Sequence, residues 1–365
     1  VRESKLGDGK GDVLKELSES CKKYSLKCGV YLSPWDRNHP AYGTPAYNDV
    51  FVNMLKEIFT NYGPIWELWW DGANGEGPNG KKQVYDFARF TQVVRDLSPQ
   101  TIIFSDIGPD ARWCGNEKGF AGKTNWDLLN TAGFEPGAGA PPTDTLNQGN
   151  MYGQNWIPAE CDVSIRPGWF YHKEEDSLVK NPQQLFEIYL KSVGRGANLI
   201  LNVPPDRRGL ITQYDSTSLM GFKKLREENF SNDLTNQSKE YFVYNNNPIP
   251  IKRLNTGKRE SFESITMTGI QSLEVAFNGP EKINCVILKE NLATGQNCAK
   301  FTIQLLNKDH KIIRTIEGTT IGHKRIVTFP ETETNFINLV VNEQKGFTKI
   351  YGLQVYLIDK ELVEE

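Results

Sequence analysis

Apolar positions in the first hundred residues alternate between two rhythms. Over residues 11–24, Val13, Leu14, Leu17, Cys21 and Tyr24 recur at three- and four-residue steps, which predicts an amphipathic helix. Residues 28–33 form a short apolar run that reads as a strand, leaving into a loop with Pro34, Trp35 and Asp36. Val50, Phe51, Met54, Leu55, Ile58 and Phe59 place a second helix over 47–61. A Gly63-Pro64 turn then launches Ile65-Trp66-Glu67-Leu68-Trp69-Trp70-Asp71, a buried strand closed by a carboxylate and followed by Gly72, Gly75 and Gly77. Val84, Phe87, Phe90, Val93, Val94 and Leu97 mark a third helix stopped at Ser98-Pro99, and 101–105 is the next strand, left through Asp106.

A long irregular stretch, 107–159, is rich in Gly, Pro, Asn and Trp, and loops of this length inside a domain are usually functional. Residues 162–165 resume a strand and lead to the aromatic loop 167–172; a helix through Leu185, Ile188, Tyr189 and Val193, a strand at 199–203 and a helix near 216–228 follow. Strand–helix alternation at this spacing predicts a parallel (β/α)8-type, TIM-like barrel portion over 1–232. Polar residues 233–249 read as a linker, and short alternating strands over 250–365 predict an all-β sandwich.

Composition narrows the partners. A net charge of −3 over 365 residues argues against a nucleic-acid partner or a polybasic membrane surface. No apolar run approaches the roughly 20 residues that span a bilayer, so no membrane span is expected. The six cysteines show no CxxC spacing and the four histidines are dispersed, so no metal and no cofactor is expected.

The candidate chemistry starts at Asp71, a carboxylate at the carboxyl end of a parallel strand, where barrel enzymes place their reactive groups. Its structural alternative is a helix N-cap. Glycoside hydrolysis needs two carboxylates flanking one bond, roughly 5–5.5 Å apart in a retaining enzyme. Asp71 suits the nucleophile, since a strand end fixes its geometry, and nearby tryptophans suit a sugar face. Acid candidates are Glu117 in the long loop and Glu160 before the next strand; Asp106 and Glu76 are weaker, one as a cap and the other as a loop charge. A loop Glu without a partner is more often a solvated charge than a catalyst.

Several blocks, in order, resemble the α-L-fucosidases of glycoside hydrolase family 29. They are 29–38 (Gly-Val-Tyr-Leu-Ser-Pro-Trp-Asp-Arg-Asn), 67–73, 105–117, 162–172 and 192–195. Their details are closer to the branch acting on α-1,3/1,4-linked, Lewis-type fucose. The resemblance implies a retaining exo-α-L-fucosidase working by double displacement through a covalent fucosyl-enzyme, on a fucosylated oligosaccharide or glycoconjugate. It implies Asp71 as nucleophile and Glu117 as acid/base, with Glu160 as the alternative. Tyr31, Trp35, Asp36, Trp70, Arg112, Trp113 and Trp169 are the implied substrate contacts, each with a structural alternative as a core aromatic or an ion-pair partner. Family habit implies a secreted or periplasmic protein.

This sequence also departs from the family pattern. Such enzymes open with two barrel strands carrying a His and Trp, then a His-His pair, and His39, His172, His310 and His323 do not match them. The expectation is an N-terminally truncated barrel lacking its first two strands, with activity belonging to the parent protein. Residues 284–291 and 318–326 resemble the discoidin- or galactose-binding-like sandwich that follows these barrels, acting as a buttress or as a glycan binder. Two other readings stay open: a non-catalytic carbohydrate-binding protein, and a different glycosidase on the same barrel.

Overall fold

The computed structural model describes residues 6–136, 138–244, 247–251, 265–267 and 271–364. Contacts divide it into two units: one holds the residues up to Trp113, Asn130–Pro142 and Asn155–Ile157; the other holds Cys114–Leu129, Thr143–Gln154 and the chain from Pro158 on.

The α/β part carries the strands β1 (Cys28–Tyr31), β2 (Ile65–Trp69), β3 (Ile102–Ser105), β4 (Ala111–Trp113), β5 (Leu128–Leu129), β6 (Asn155–Trp156), β7 (Ala159–Ser164) and β8 (Asn198–Asn202). Its helices are α1 (Val13–Lys23), α2 (Ala46–Asn61), α3 (Phe87–Leu97), α4 (Thr143–Gln148), α5 (Pro182–Lys191) and α6 (Gln213–Asn229). In the first unit β1, β2, β3 and β4 pair in parallel in that order, and in the second unit β7 pairs in parallel with β8. Asp86 starts α3 by accepting the Arg89 N–H, and Asn181 and Gln184 start α5 with a reciprocal capping box. Helices α2 and α3 cover one face of the first-unit strands: Phe51, Leu55, Phe90 and Val94 pack with Leu68, Trp70 and Ile103. Helix α1 follows its predicted span loosely packed; Leu14 and Cys21 reach the Cys28–Ile58–Ile65 cluster, while Val13 and Leu17 stay exposed.

Two sequence expectations change here. Of the residues read as a linker, 233–249, the described ones include β9 (Lys239–Tyr244) and the start of β10 (Asn247–Pro250), because the run Tyr241-Phe242-Val243 supplies a strand. Strand β9 pairs with β10 and with β12. The sandwich strands are also longer than expected: β11 (Ile265–Met267), β12 (Gln271–Glu290), β13 (Cys298–Leu306), β14 (Ile312–Gly318), β15 (Arg325–Gln344) and β16 (Thr348–Tyr356). Strands β12 and β15 pair along most of their length, with register breaks at Ala276/Glu281 and Ile283/Cys285. Such breaks bend a strand and divide its hydrophobic pattern into apparent short pieces. Leu273, Val286, Phe301, Ile303, Leu339 and Leu353 fill the sandwich core.

Within the second unit α5 packs on the sandwich. Phe186, Tyr189 and Leu190 share one cluster with Cys285, Ile287, Ile326 and Tyr356. Glu290 ties the sandwich loops together from the inside, accepting the N–H groups of Asn297 at 2.6 Å, Cys298 at 3.0 Å and Gly322 at 3.2 Å. Burial raises its carboxyl above the ordinary range, against the opposing pull of those donors. The folded chain therefore keeps the Glu290 proton over a range where the unfolded chain has lost it. That range opens near pH 4.5, and stability falls as pH rises through it. Glu290→Gln should flatten this declining component; urea unfolding from pH 4.5 to neutrality, with the same slope in variant and wild type, would sink the assignment.

Candidate active site

Strand alternation decides what β2 presents. Side chains two apart share a face, so Leu68 and Trp70 point to one side and Glu67, Trp69 and Asp71 to the other. Trp70 is fully buried, its ring packed beside Phe51, Phe87 and Phe90. It is therefore a core residue under α2 and α3 rather than the sugar wall expected from sequence. The opposite face carries a layer set by register: Tyr31 pairs with Trp69, and Trp69 with Phe104. Their rings stack, with Tyr31–Trp69 centroids 5.0 Å apart and Trp69–Phe104 centroids 4.3 Å apart.

Asp71 lies two residues beyond β2 on that same face. Its Oδ2 accepts a hydrogen bond from the Tyr31 hydroxyl at 2.5 Å, and its Oδ1 accepts the Ala73 N–H at 2.8 Å. One oxygen is thus held by the backbone and the other by a phenol. Burial, and then the hydrogen bond to Asp71, push the Tyr31 phenol well above its ordinary range, so it remains a donor. The N-cap alternative does not describe Asp71, since α3 begins at Phe87 and its cap is Asp86. Asp106 approaches from behind: a Cβ on Gly72 would sit 2.9 Å from its Oδ2.

The loop after Asp71 is braced. The Tyr42 hydroxyl donates toward Asn74 Oδ1 (3.2 Å) and the Gly75 carbonyl (3.1 Å) and lies 2.8 Å from the Tyr85 hydroxyl. Trp35 lies over this loop, donating its Nε1 to the Glu76 carbonyl at 3.2 Å. A Cβ on Gly75 would meet the Trp35 ring at 2.1 Å. Gly75→Ala is expected to displace that indole and cost about 1–3 kcal/mol; an unchanged denaturation midpoint would count against the packing described.

The remaining sequence-predicted residues fall as follows. Asp36 turns its own loop, with Oδ1 accepting the N–H groups of Asn38 at 2.8 Å and His39 at 2.9 Å. Arg112 is fully buried and donates to the Ile157 carbonyl, while Trp113 is half-buried at the end of β4. In the second unit Glu117 is exposed at the tip of a turn held by Asn116, whose Oδ1 accepts the Lys118 N–H at 3.1 Å and the Phe120 N–H at 3.3 Å. Glu160 lies in β7, every residue of which is buried. Trp169 follows β7, its carbonyl accepting from Asn202 Nδ2 at 2.9 Å. Period two along β2 already says that only one of Trp69 and Trp70 can share the Asp71 face; the sequence does not single out Asn202, whose Nδ2 also donates to Ser164 Oγ at 3.0 Å and so braces the Trp169 loop.

Comparison with known proteins places this arrangement. Residues 3–225 match the family model described as alpha-L-fucosidase, a span containing Tyr31, Asp71, Glu117 and Trp169. The chain belongs to the alpha-L-fucosidase family. Alpha-L-fucosidase 1 of Arabidopsis thaliana is 36% identical over 369 residues, covering 98% of this chain and 71% of that protein. A relative from Oryza sativa subsp. japonica is 39% identical over 345 residues, covering 92% of this chain and 64% of its own length. Among solved structures, SpGH29 superposes with a TM-score of 0.89 at 32% identity, covering 98% of this chain and 80% of SpGH29. A structure from Bacteroides ovatus ATCC 8483 gives a TM-score of 0.80 at 36% identity, with this chain covering 60% of it. This fucosidase-family chain thus has an α/β fold on a parallel, half-barrel sheet with a separate antiparallel sandwich, and it spans between three-fifths and four-fifths of those relatives. Among the described residues, no helix is long and apolar enough to cross a membrane.

Proposed function

We propose that this chain is the core of a retaining exo-α-L-fucosidase acting on α-1,3/1,4-fucosylated, Lewis-type glycans. The observation that carries the reading is the Asp71 carboxylate, oriented by Tyr31 and the Ala73 N–H at the end of β2, inside the span matching the fucosidase family. A fixed carboxylate with one oxygen on a protonated phenol suits in-line attack on an anomeric carbon, giving a covalent fucosyl-enzyme. Attack forms the Asp71 O–C1 bond as the C1–O bond to the aglycone breaks. The departing oxygen needs a proton, for which Glu117 is the better candidate: its turn is exposed, whereas Glu160 sits in a buried strand. Glu117 then deprotonates the water that cleaves the ester, restoring Asp71 and releasing fucose with its configuration retained. Trp35, Trp113 and Trp169 are the proposed apolar contacts for sugar faces, and Trp69 replaces Trp70 as the indole on the Asp71 side.

The test is hydrolysis of an aryl α-L-fucoside and of a Lewis-type trisaccharide, with the anomer of the released sugar followed by NMR. Fucose appearing first as the α-anomer supports the reading. The β-anomer first would replace double displacement by direct water attack, and preferential hydrolysis of another aryl glycoside would replace the sugar. The non-catalytic binding alternative is not favoured, since the chain matches the alpha-L-fucosidase family over residues 3–225. The Tyr31→Phe variant is expected to lose about tenfold in kcat, the scale of one charge-assisted hydrogen bond, and an unchanged kcat would remove Tyr31 from the site.

A further inference from the structure

We propose that Cys21 and Cys28 form an oxidisable dithiol pair, a disulfide-forming site closed by exchange with a small-molecule disulfide. Cys21 lies in the last turn of α1 and Cys28 opens β1. The chain doubles back between them: the Leu26 N–H donates to the Cys21 carbonyl at 2.8 Å, and Ser25 takes a positive φ of 56°. The two side chains meet in one apolar cluster with Ile58 and Ile65. Both are free thiols in this structure. Spacing alone does not single them out from the other cysteines, because no redox motif has a seven-residue step.

The environments of the two sulfurs assign the order of events. Cys28 is buried, and burial foremost, with the neighbouring Cys21, pushes its thiol up, so it makes a poor first nucleophile. Cys21 is half-buried and reachable. Cys21 loses its proton and attacks one sulfur of a disulfide such as oxidised glutathione; a Cys21–glutathione bond forms, and one glutathione thiolate leaves and takes up a proton. The Cys28 thiolate then attacks the Cys21 sulfur, forming the Cys21–Cys28 bond and expelling the second glutathione. Two protein thiols are oxidised by two electrons in total, and one oxidised glutathione becomes two thiols. The remaining four cysteines are buried and take no part. The closed pair would staple the end of α1 to the strand that carries Tyr31, three residues after Cys28. This proposal does not depend on the fucosidase reading.

Treating the folded chain with oxidised glutathione, quenching in acid, alkylating after unfolding and mapping with trypsin tests it. Cleavage after Lys22 and Lys27 puts the two thiols in separate peptides, 16–22 and 28–37. The expected product is these peptides joined, lighter by two hydrogens than their sum, with the other four cysteines alkylated. In Cys28→Ser the reaction should stop at glutathione held on Cys21, and in Cys21→Ser neither product should form. Wild-type chain that stops at the Cys21 mixed disulfide, or that keeps Cys21 alkylatable throughout, overturns the proposal without recourse to either variant.

Discussion

Asp71→Asn is expected to abolish fucoside hydrolysis, by at least on the order of 10^4-fold, the scale on which loss of a covalent nucleophile registers. An amide cannot attack the anomeric carbon and then depart as a carboxylate. The substitution should cost the fold little. The introduced amide is isosteric with the carboxylate, its carbonyl oxygen can accept the Ala73 N–H, and the Tyr31 hydroxyl can turn from donor to acceptor. About 1 kcal/mol is the scale of the expected stability change. Steady-state kinetics beside a denaturation curve separates the two effects: lost turnover with a preserved midpoint supports the nucleophile, whereas retained turnover removes Asp71 from the chemistry. Glu117→Gln and Glu160→Gln then sort the acid. The variant of the true acid/base should lose most on substrates with poor leaving groups and least on activated aryl fucosides, because those need no proton.

Removing Arg166 should cost about as much stability as any single change in the α/β part. Its guanidinium is fully buried, with Nε donating to Asp215 Oδ1 at 3.0 Å and Nη2 to Asp215 Oδ2 at 2.7 Å. Nη2 also reaches Asp176 at 2.9 Å and Thr212 at 3.2 Å, and the Tyr171 ring lies 4.9 Å away. Asp215 itself has no exposed surface. Arg166→Met would leave that carboxylate buried without its cation, a loss of about 3–5 kcal/mol. Replacing both members, as in Arg166→Met with Asp215→Leu, should recover much of it, because no uncompensated charge remains. A single variant as stable as wild type by urea unfolding would show the pair to be dispensable. The loop that Arg166 heads carries Trp169, so the same variant should also weaken substrate binding, seen as a raised KM.

Much of this arrangement was legible in the sequence because it rests on local signals. The Gly63-Pro64 turn, the apolar run after it and the glycines beyond Asp71 are enough to place a carboxylate at a strand end. Period two also says that Trp69 and Trp70 face opposite sides. Which side is which was not legible, because a parallel strand is buried on both faces and both indoles look like core. Only the packing of α2 and α3 against Trp70 assigns the faces. Arg112 is of a type that suggests a ligand contact, and the sequence does not announce that it is fully buried and donates to the Ile157 carbonyl. Strand β4, three residues long, has no periodicity to detect. The missed strand β9 was visible in principle, since Tyr241-Phe242-Val243 is a β-favouring run, but the polar residues around it set the reading.

The cluster joining α5 to the sandwich bears on how such a protein changes over time. Phe186, Tyr189 and Leu190 meet residues of β12, β15 and β16 in one continuous apolar cluster. A chain with such a joint cannot trade one half for an unrelated module, as beads on a flexible string can, because each half would be left with a bare apolar face. A change of volume at one member of the cluster must be taken up by its other members, because the interior is close-packed. A chain without the sandwich would leave that face of α5 bare and would need polar residues there to stay in solution.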